Sequence, residues 1–396
     1  MRRYRGRAHD GARDLGAVTV TVVDGRVTSV DPDPDPPAEG DLILPGFTDL
    51  HCHGAAGGAF PTGDEAAVRR AARHHRDRGT TTLLASTVSA AEGPLLSQVA
   101  LLADATAEGL VAGVHLEGPF LAAARCGAQD PAWVREGDPT LLRRLLRAGR
   151  GTVRQLTLAP ETAHLDDLLD LCAEHHVIAG FGHTDADASR TAAAVAAAHA
   201  RGVTVTATHL FNAMPPLHHR DPGPVAALLT AGVAGLELIG DGVHLADATV
   251  DLVLAASDRA YLVSDAMEAA GRPDGRYVLG SLDVTVTGGV ARVPGGALAG
   301  GVARVPGGAL AGGTTTLADQ ARRHLHRGRP PGEVAAVTST RAAEVLARAT
   351  GRPARGGLGV GDAAAFVVLR PDLTVRCTVD GDHEHTPVDP GRGEEG

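Results

Sequence analysis

The chain has 396 residues, of which 43% are hydrophobic and 21% are charged, and its formal net charge is −10. The acidic balance argues against a general nucleic-acid-binding protein, because phosphate backbones require a concentrated basic surface, and no apolar run approaches the roughly 20 residues of a membrane helix. The polar N-terminus predicts no secretory signal and the four cysteines are too scattered for a disulfide framework, so we expect a cytoplasmic protein with no nucleic-acid or membrane partner.

Both ends of the chain contain short segments in which apolar and polar residues alternate. The first alternates around an Asp-Gly pair at residues 24–25, which is a strong signal for a hairpin turn. The last predicts a second hairpin that turns at residues 370–372. Because such short strands are unstable alone, we expect residues 1–45 and 351–380 to pair as one small β-domain, followed by a disordered tail at 381–396.

Residues 46–350 contain eight short β-rich runs, separated by helical stretches rich in Ala, Leu and Arg. Apolar strands that alternate with helices indicate parallel βαβ units, and eight of them suggest a closed barrel. The predicted fold class is therefore α/β: a (β/α)₈ TIM-like barrel with a small β-sandwich domain formed by both chain termini. An open doubly wound sheet is the alternative. The runs are LPGFTDLHCHG, TTTLLAST, VAGVHLEG, VRQLTLAP, VIAGFGHT, TVTATHLF, LELIGDGVH and AYLVSDAM.

Polar side chains lie at the carboxyl end of almost every run. A barrel gathers these ends on one face, where barrel enzymes place their chemistry. Chance rarely produces so convergent a set, and we expect a functional site there. The residues are His51, His53, Glu117, His183, His209, Asp241, His244 and Asp265.

Four histidines and one glutamate of this set are candidate metal ligands. His51 and His53 share one face of a strand, so both imidazoles can point at one ion. Glu117 would be costly to bury without a metal or a charged partner. The chain has no lysine to carbamylate, so Glu117 is the carboxylate expected to be central or bridging. His183 and His209 complete a set of three protein ligands with an open position, as hydrolytic metal sites require.

Other polar residues have different expected roles. Asp265 ends the eighth run, where a carboxylate beside a metal can take a proton from water and return it to a leaving group; the alternative is an N-cap for the next helix. His115 is expected to hydrogen-bond near the ligands, and Cys52 to be a buried apolar filler. His74 and His75 lie in a helical segment and are expected at the surface or the edge of the core.

The segment GVARVPGGALAG occurs twice in tandem, at residues 289–300 and 301–312. Two copies are too few to stack as a solenoid, so we expect a duplication that is looped out at the surface. The first copy continues a predicted hairpin and the second leads into TTTLADQ, so either copy can occupy the ancestral position.

Six motifs occur in an order and spacing that point to one family: PGFTDLHCHG, HLEGPF, GHTDA, THLFNAM, DGVHL and VSDAM. From about residue 15 to 379 the chain resembles the N-acetylglucosamine-6-phosphate deacetylase family of the amidohydrolase superfamily. The resemblance implies a (β/α)₈ barrel beside a small β-domain, a homodimer, and a small-molecule sugar phosphate as partner. The implied reaction deacetylates N-acetyl-D-glucosamine 6-phosphate to glucosamine 6-phosphate and acetate, in amino-sugar catabolism and cell-wall recycling.

The resemblance also assigns the metal ligands. It implies that Glu117, His183 and His209 hold the main divalent ion. His51 and His53 would hold a second ion, bridged by Glu117. Zinc is the expected metal, although iron, manganese and cobalt suit the same donors, and one or two ions are expected per subunit.

The remaining roles implied by the resemblance concern the proton transfer and the substrate. Asp265 matches the catalytic carboxylate that acts as general base and general acid. The family's arginine after FNAMP can reach across the dimer into the partner's site. The implied phosphate-binding set is Asn212, the backbone at Ala213, Arg220 and His244.

The chain departs from the family at two places. Gln129 stands where many relatives carry a histidine that helps to polarise the substrate carbonyl, and an amide can donate a hydrogen bond but cannot carry a proton charge. The tandem repeat falls where a Leu-Ala-Gly-Ser loop lines the acyl pocket, and both copies here continue as Leu-Ala-Gly-Gly.

Three alternatives stay open. The substrate could be the galactosamine epimer, or the protein could be another amidohydrolase, although cyclic-amide hydrolases commonly use the carbamylated lysine that is impossible here. A catalytically inactive barrel that serves as a scaffold is the alternative of a different class. A scaffold of this kind is expected to lack some metal ligands or the catalytic aspartate, and this chain retains all of them.

Overall fold

The computed structural model describes residues 1–11, 13–35, 40–293, 309–354 and 356–387. These residues build a parallel barrel, a seven-stranded sheet from both ends of the chain and a small antiparallel sheet. Within the described part, every helix is too short or too polar to cross a bilayer.

The described residues form strands β1–β21 and α-helices α1–α10, numbered in chain order. The strands are Arg2–His9, Asp14–Val23, Arg26–Pro32, Leu42–Pro45, Phe47–Cys52, Gly54–Ala55, Gly58–Ala59, Thr80–Thr87, Gly113–Glu117, Val153–Leu158, Ile178–Phe181, Val205–Ala207, Gly235–Leu238, Ala260–Leu262, Gly275–Leu279, Leu282–Thr287, Val290–Val293, Ala309–Leu310, Ala365–Leu369, Val375–Asp380 and His383–His385. The helices are Glu65–Asp77, Glu92–Ala107, Pro139–Ala148, Leu165–Glu174, Ala188–Ala200, Gly223–Thr230, Asp247–Ala256, Leu317–His326, Pro331–Ala335 and Arg341–Thr350. A 3₁₀ turn covers Ala123–Arg125, and a π-helical segment, Ala336–Thr340, joins α9 to α10.

Strands from the two ends of the chain form one sheet, in the order β21-β20-β19-β4-β1-β2-β3. At its centre, β4 is parallel to β1 and antiparallel to β19. A bridge between Arg26 and Ala363 brings β3 against the segment before β19, so the sheet encloses a core of its own. In that core the rings of Tyr4 and Phe366 meet edge-on, with centroids 5.1 Å apart. The predicted small β-sandwich made from both termini is confirmed.

Eight parallel strands form the barrel, in the order β5-β8-β9-β10-β11-β12-β13-β14. The ring closes where Cys52 pairs with Ala266 beyond β14, and where the Asp265 N–H donates to the His51 carbonyl at 2.9 Å. The covering helices bury the strands on their outer face, which is why the runs are almost continuously apolar. The predicted (β/α)₈ barrel is confirmed, and the doubly wound alternative is wrong.

Helix α3 shows how the sequence determines the start and the buried face of a helix that covers the barrel. Asp138 caps it by accepting hydrogen bonds from the N–H groups of residues 140 and 141. Pro139 fits the first helical position, where no N–H donor is needed. The buried face that packs against the barrel repeats at helical spacing; it consists of Leu141, Leu142, Leu145 and Leu146.

Both copies of the tandem repeat contribute to the small sheet that follows the barrel. Strand β17 belongs to the first copy and β18 to the second, and they pair antiparallel through Arg292 with Leu310 and Val293 with Ala309. Each copy therefore supplies one strand of this pair. The expected surface position of the extra copy concerns residues 294–308, which lie outside the described residues.

Two expectations about histidines differ from the structure. His383–His385 form β21 against β20, where we expected a disordered tail; residues 388–396 lie outside the described part. His74 and His75 are buried, because His75 packs against the β6–β7 hairpin and the His74 ring lies beside Gly271. The His75 Nε2 lies 3.1 Å from the Cys52 Sγ, so buried Cys52 has a polar neighbour.

Candidate metal centre and active site

Four histidines and Glu117 converge at the carboxyl end of the barrel. The Oε1 atom of Glu117 lies 3.0 Å from the Nε2 atom of His183 and 3.1 Å from that of His209. On the other side, Oε1 lies 3.4 Å from His51 Nε2, and Oε2 lies 3.2 Å from His53 Nε2. The five side chains thus form two groups of three donors that share Glu117, and within each group all donor atoms lie within 4.8 Å of one another.

Both donor groups fit a divalent metal ion. Ligand atoms at about 2.0–2.1 Å from a tetrahedral ion are about 3.3 Å apart, and the carboxylate–imidazole distances here run from 3.0 to 3.4 Å. All five side chains are buried, so without a cation their lone pairs would face one another away from water. The centre is able to hold one or two ions, and imidazole and carboxylate donors suit several divalent transition metals.

Three residues of the site leave their strands through a strained backbone. His183, His209 and Asp265 have φ angles of 48°, 28° and 45°, in the left-handed region that non-glycine residues rarely adopt. Each lies two or three residues beyond the end of β11, β12 or β14. Such strain persists where the surroundings enforce it, and it concentrates at functional sites.

Asp265 lies against the His51–His53 pair. Its Oδ1 atom is 3.4 Å from His51 Nε2 and 3.2 Å from His53 Nε2. Burial alone would raise the pKa of this carboxyl, but the two imidazoles lower it, and the neighbouring histidines likewise hold the pKa of Glu117 well below its usual range. The N-cap alternative for Asp265 is wrong, since α8 is the next helix and Thr316 caps it.

A second buried carboxylate, that of Glu237, contacts the candidate ligand His51. Glu237, in β13, has its Oε2 atom 3.3 Å from His51 Nδ1, and its Oε1 atom accepts a hydrogen bond from Gln155 at 2.7 Å. A carboxylate behind a metal-binding histidine fixes the tautomer and the ring orientation. The sequence analysis did not single out Glu237; its signal was a charged residue inside the apolar run LELI.

His115 belongs to neither donor group, in line with the expected supporting position. Its ring packs edge-on against His51, with centroids 4.5 Å apart. Its two ring nitrogens hydrogen-bond to Ser86 at 2.9 Å and to Thr157 at 2.8 Å. Burial and the nearby His51 lower the pKa of His115, so the ring is neutral.

Gln129 is engaged at both ends of its amide. The Nε2 group donates to Glu117 Oε2 at 2.6 Å, and Oε1 accepts from the Ser89 N–H at 2.7 Å. The side chain is buried beside the ligand that both donor groups share. Gln129 therefore orients Glu117; its contact with a substrate stays a prediction.

A cavity of about 480 Å³ opens above the centre. Asn212, Ala213 and His244 line it, as the sequence predicts. The His244 Nδ1–H donates to Asp241 at 2.8 Å, and although burial would lower the pKa of His244, this carboxylate raises it. Arg220 is exposed and does not line the cavity within this chain.

Arg292 is a cation of the cavity that the sequence analysis did not single out. It lies in β17 and lines the same cavity as His244, and its charge opposes protonation of that histidine. Leu279 and Leu310 of the small sheet form part of the same wall. The sequence did not distinguish Arg292 as a site residue, because the tandem repeat contains an equivalent arginine, Arg304.

The fold and the centre define a class: barrel hydrolases that depend on metal ions held by histidine and carboxylate ligands. Residues 42–386 match the amidohydrolase family, and the chain belongs to that family. A relative from Bacillus subtilis (strain 168), N-acetylglucosamine-6-phosphate deacetylase, is 34% identical over 270 residues, which cover 65% of this chain and 66% of the relative. N-acetylgalactosamine-6-phosphate deacetylase from Escherichia coli O157:H7 is 34% identical over 285 residues, 70% of this chain and 74% of that protein.

Solved structures resemble the whole chain. N-acetyl-D-glucosamine-6-phosphate deacetylase from Mycobacterium smegmatis, a variant in complex with N-acetyl-D-glucosamine-6-phosphate, aligns with a TM-score of 0.85 and 35% identity, over 98% of this chain and 100% of that one. The N-acetylglucosamine-6-phosphate deacetylase from Thermotoga maritima aligns with a TM-score of 0.83 and 27% identity, over 97% and 99% of the two chains.

Proposed function

We propose that this protein is a metal-dependent hydrolase that converts N-acetyl-D-glucosamine 6-phosphate to glucosamine 6-phosphate and acetate. The observation that carries the proposal is the pair of donor groups that share Glu117, with Asp265 against them and the cavity above. At about 480 Å³ the cavity is of substrate size, since small-molecule sites span roughly 300–1,000 Å³. The relatives from B. subtilis and M. smegmatis support the choice of substrate.

The cavity supplies the groups that an anionic sugar needs. His244 and Arg292 offer charge-assisted hydrogen bonds to the 6-phosphate, and Asn212 and the backbone at Ala213 add neutral donors. These nearby donors outweigh the net charge of −10, because distant surface charge is screened. We propose that the protein is a cytoplasmic homodimer in which Arg220, exposed in one chain, reaches the partner's cavity.

The reaction combines a divalent ion, for which we propose zinc, with the proton transfers of Asp265. When bound, the metal polarises the acetyl carbonyl and lowers the pKa of water toward about 7. The ionised Asp265 takes the proton as the water oxygen forms its bond to the carbonyl carbon. As the C–N bond breaks, Asp265 returns that proton to the departing amine. Glu237 and Gln129 hold His51 and Glu117 in place throughout.

A second candidate substrate is N-acetylgalactosamine 6-phosphate. The E. coli relative that bears this activity in its name is as identical as the B. subtilis relative and aligns over more of its own length. The two sugars differ only in the orientation of the C4 hydroxyl, so the same phosphate and acetamide contacts serve both.

The test is acetate release by the purified, metal-analysed protein from both epimeric sugar phosphates. We expect a higher kcat/KM for the glucosamine compound. A preference for the galactosamine compound would favour the second candidate. Protein that contains metal but releases acetate from neither compound would overturn the deacetylase proposal and leave the scaffold alternative.

A further inference from the structure

A second cavity, of about 290 Å³, lies at the end of the barrel opposite the metal centre. Its walls include the first residues of β8, 80–83, whereas the candidate metal ligands lie at the carboxyl ends of the strands or just beyond them. The segment 109–112 that leads into β9, the last turns of α10 and the segment 352–354 also line it. No substrate contact proposed above involves this cavity.

Three arginines and no carboxylate are among the residues that line this cavity: Arg76, Arg154 and Arg352. Arg76 is partly compensated, because its Nη2 donates to the carbonyls of residues 109 and 110 and its Nε lies 3.8 Å from Asp380. Among the residues that the structure describes, Arg154 donates to the carbonyl of Gly151 alone, and neither Arg154 nor Arg352 forms an ion pair. Two uncompensated positive charges therefore face one cavity in a chain of net charge −10.

The two uncompensated arginines oppose each other. Arg154 is half-buried, and burial together with the charge of Arg352 lowers the pKa of its guanidinium. Like charges in a partly desolvated cleft are unfavourable, and an anion between them removes the penalty. A guanidinium also presents planar, paired donors that match phosphate oxygens.

Three threonines at the start of β8 form part of the same cavity wall. Thr80, Thr81 and Thr82 are each less than a tenth exposed, and none of their Oγ1 atoms has a hydrogen-bond partner among the described residues.

We propose that this cavity binds a small phosphate monoester. The two unpaired arginines match the charge of a phosphate monoester, which is close to −2 at neutral pH. Leu83, Leu110 and Leu346 line the rest of the cavity and suit the organic part of such a molecule. Because Arg352 lies between α10 and the terminal sheet, while Arg154 belongs to the barrel, bound phosphate would tie the sheet to the floor of the barrel.

The test measures thermal unfolding of the full chain with inorganic phosphate, phenyl phosphate or potassium chloride at equal ionic strength. We expect the melting temperature to rise by about 2 °C at ligand concentrations near ten times Kd. The double variant Arg154→Gln/Arg352→Gln should show a smaller rise, limited to what the active site contributes. The matched control Arg143→Gln/Arg147→Gln removes two exposed charges from α3 and should keep the full rise.

Comparing the two double variants separates this cavity from the active site, which also binds phosphate under the proposed function and is intact in both. An equal rise in both variants would overturn the proposal. If inorganic phosphate raises the melting temperature as much as phenyl phosphate does, the assignment to a monoester is wrong. If the Arg154 and Arg352 double variant does not fold, the single variant Arg352→Gln, at an exposed position, carries the same test.

Discussion

At the scale of single residues, Asp265 is the side chain that we expect to move protons. Replacement of Asp265 by Asn keeps the shape of the side chain but removes its basicity, so turnover should fall about 10²–10⁴-fold while metal content is unchanged. Steady-state kinetics and metal analysis of the same preparation measure both quantities. The matched control is Asp283→Asn, at an exposed position of β16. Turnover of Asp265→Asn within a few-fold of the wild type would contradict the role.

Gln129 tests whether a hydrogen bond to Glu117 tunes the metal centre. The variant Gln129→Met keeps the length of the side chain and removes the donor to Glu117 Oε2. Loss of a partner that orients a ligand typically weakens metal binding about 10–100-fold, and competition with a chelator measures this. The control Gln98→Met removes hydrogen bonds to the carbonyls of residues 60 and 63, away from the centre. Equal metal affinity in both variants would show that Gln129 does not act on Glu117.

The sequence was sufficient to propose the metal ligands, because each lies at or just beyond the carboxyl end of a strand, and a barrel gathers those ends on one face. It was not sufficient for the residues that hold the ligands. Glu237 lies inside a strand, and only the three-dimensional packing shows that it faces His51. The partner of Gln129 was equally hidden, since an amide in a loop can donate to a substrate or to a neighbour.

At the scale of structural elements, we expect the protein to tolerate deletion of one copy of the tandem repeat. Removing residues 301–312 leaves the first copy, whose Ala297 and Leu298 match Ala309 and Leu310 of β18. The connection between the paired strands then shortens from residues 294–308 to residues 294–296, and short hairpin loops of that length are common. We expect kcat/KM within about twofold of the wild type and a gain of about 1 kcal/mol in unfolding free energy from the smaller loop entropy.

The deletion is checked by thermal unfolding and by acetate release from the same preparation. Arg292 and the wall formed by Leu310 or its equivalent remain present in the shortened chain. Loss of folding or of activity would show that the extra residues are integrated into the structure.

A buried histidine in α8 should make the stability of the fold depend on pH. His324 is fully buried there, and burial, followed by the charges of Arg327 and Arg329, lowers its pKa to about 4. The unfolded chain takes up a proton near pH 6.5, while the folded chain resists it until about pH 4. The contribution of neutral His324 to the free energy of unfolding is therefore complete above pH 6.5 and is lost as the pH falls toward 4.

Urea unfolding at pH 7.5 and pH 5 tests this dependence. Between the two conditions, the wild type should lose on the order of 1 kcal/mol more than His324→Gln does. His199→Gln, at an exposed position of α5, should behave as the wild type. Comparing variants removes the shared contribution of the metal centre, and identical losses in all three proteins would contradict the prediction.

At the scale of the whole molecule, bound metal should stabilise the fold. Ligands from β5, β9 and the ends of β11 and β12 meet at one centre, so an ion there ties four parts of the barrel together. Removal of metal by a chelator should lower the melting temperature by roughly 5 °C or more, and zinc should restore it. The variant Asp265→Asn keeps all five ligands and should show the same decrease. A melting temperature that does not respond to the chelator would contradict a resident ion.

The architecture was largely predictable, because alternation of apolar strands with helices leaves few arrangements for eight repeats. Burial of His74 and His75 in α1 was not predictable, since two separate segments cover them: the β6–β7 hairpin covers His75, and the segment around Gly271 covers His74. Pairing of β21 with β20 was missed for a related reason. The segment His383–His385 is charged, and only its place at the edge of a sheet makes a polar strand stable.

The central position of β4 has a consequence for synthesis on the ribosome. Strands β1 to β4 emerge first, but the edge of β4 that receives β19 stays bare until the barrel and the residues beyond it have left the exit tunnel. An unpaired strand edge is a template for association with other chains. The nascent polypeptide therefore exposes an aggregation-prone strand edge for most of its translation. A product truncated after the barrel would keep that edge unpaired permanently.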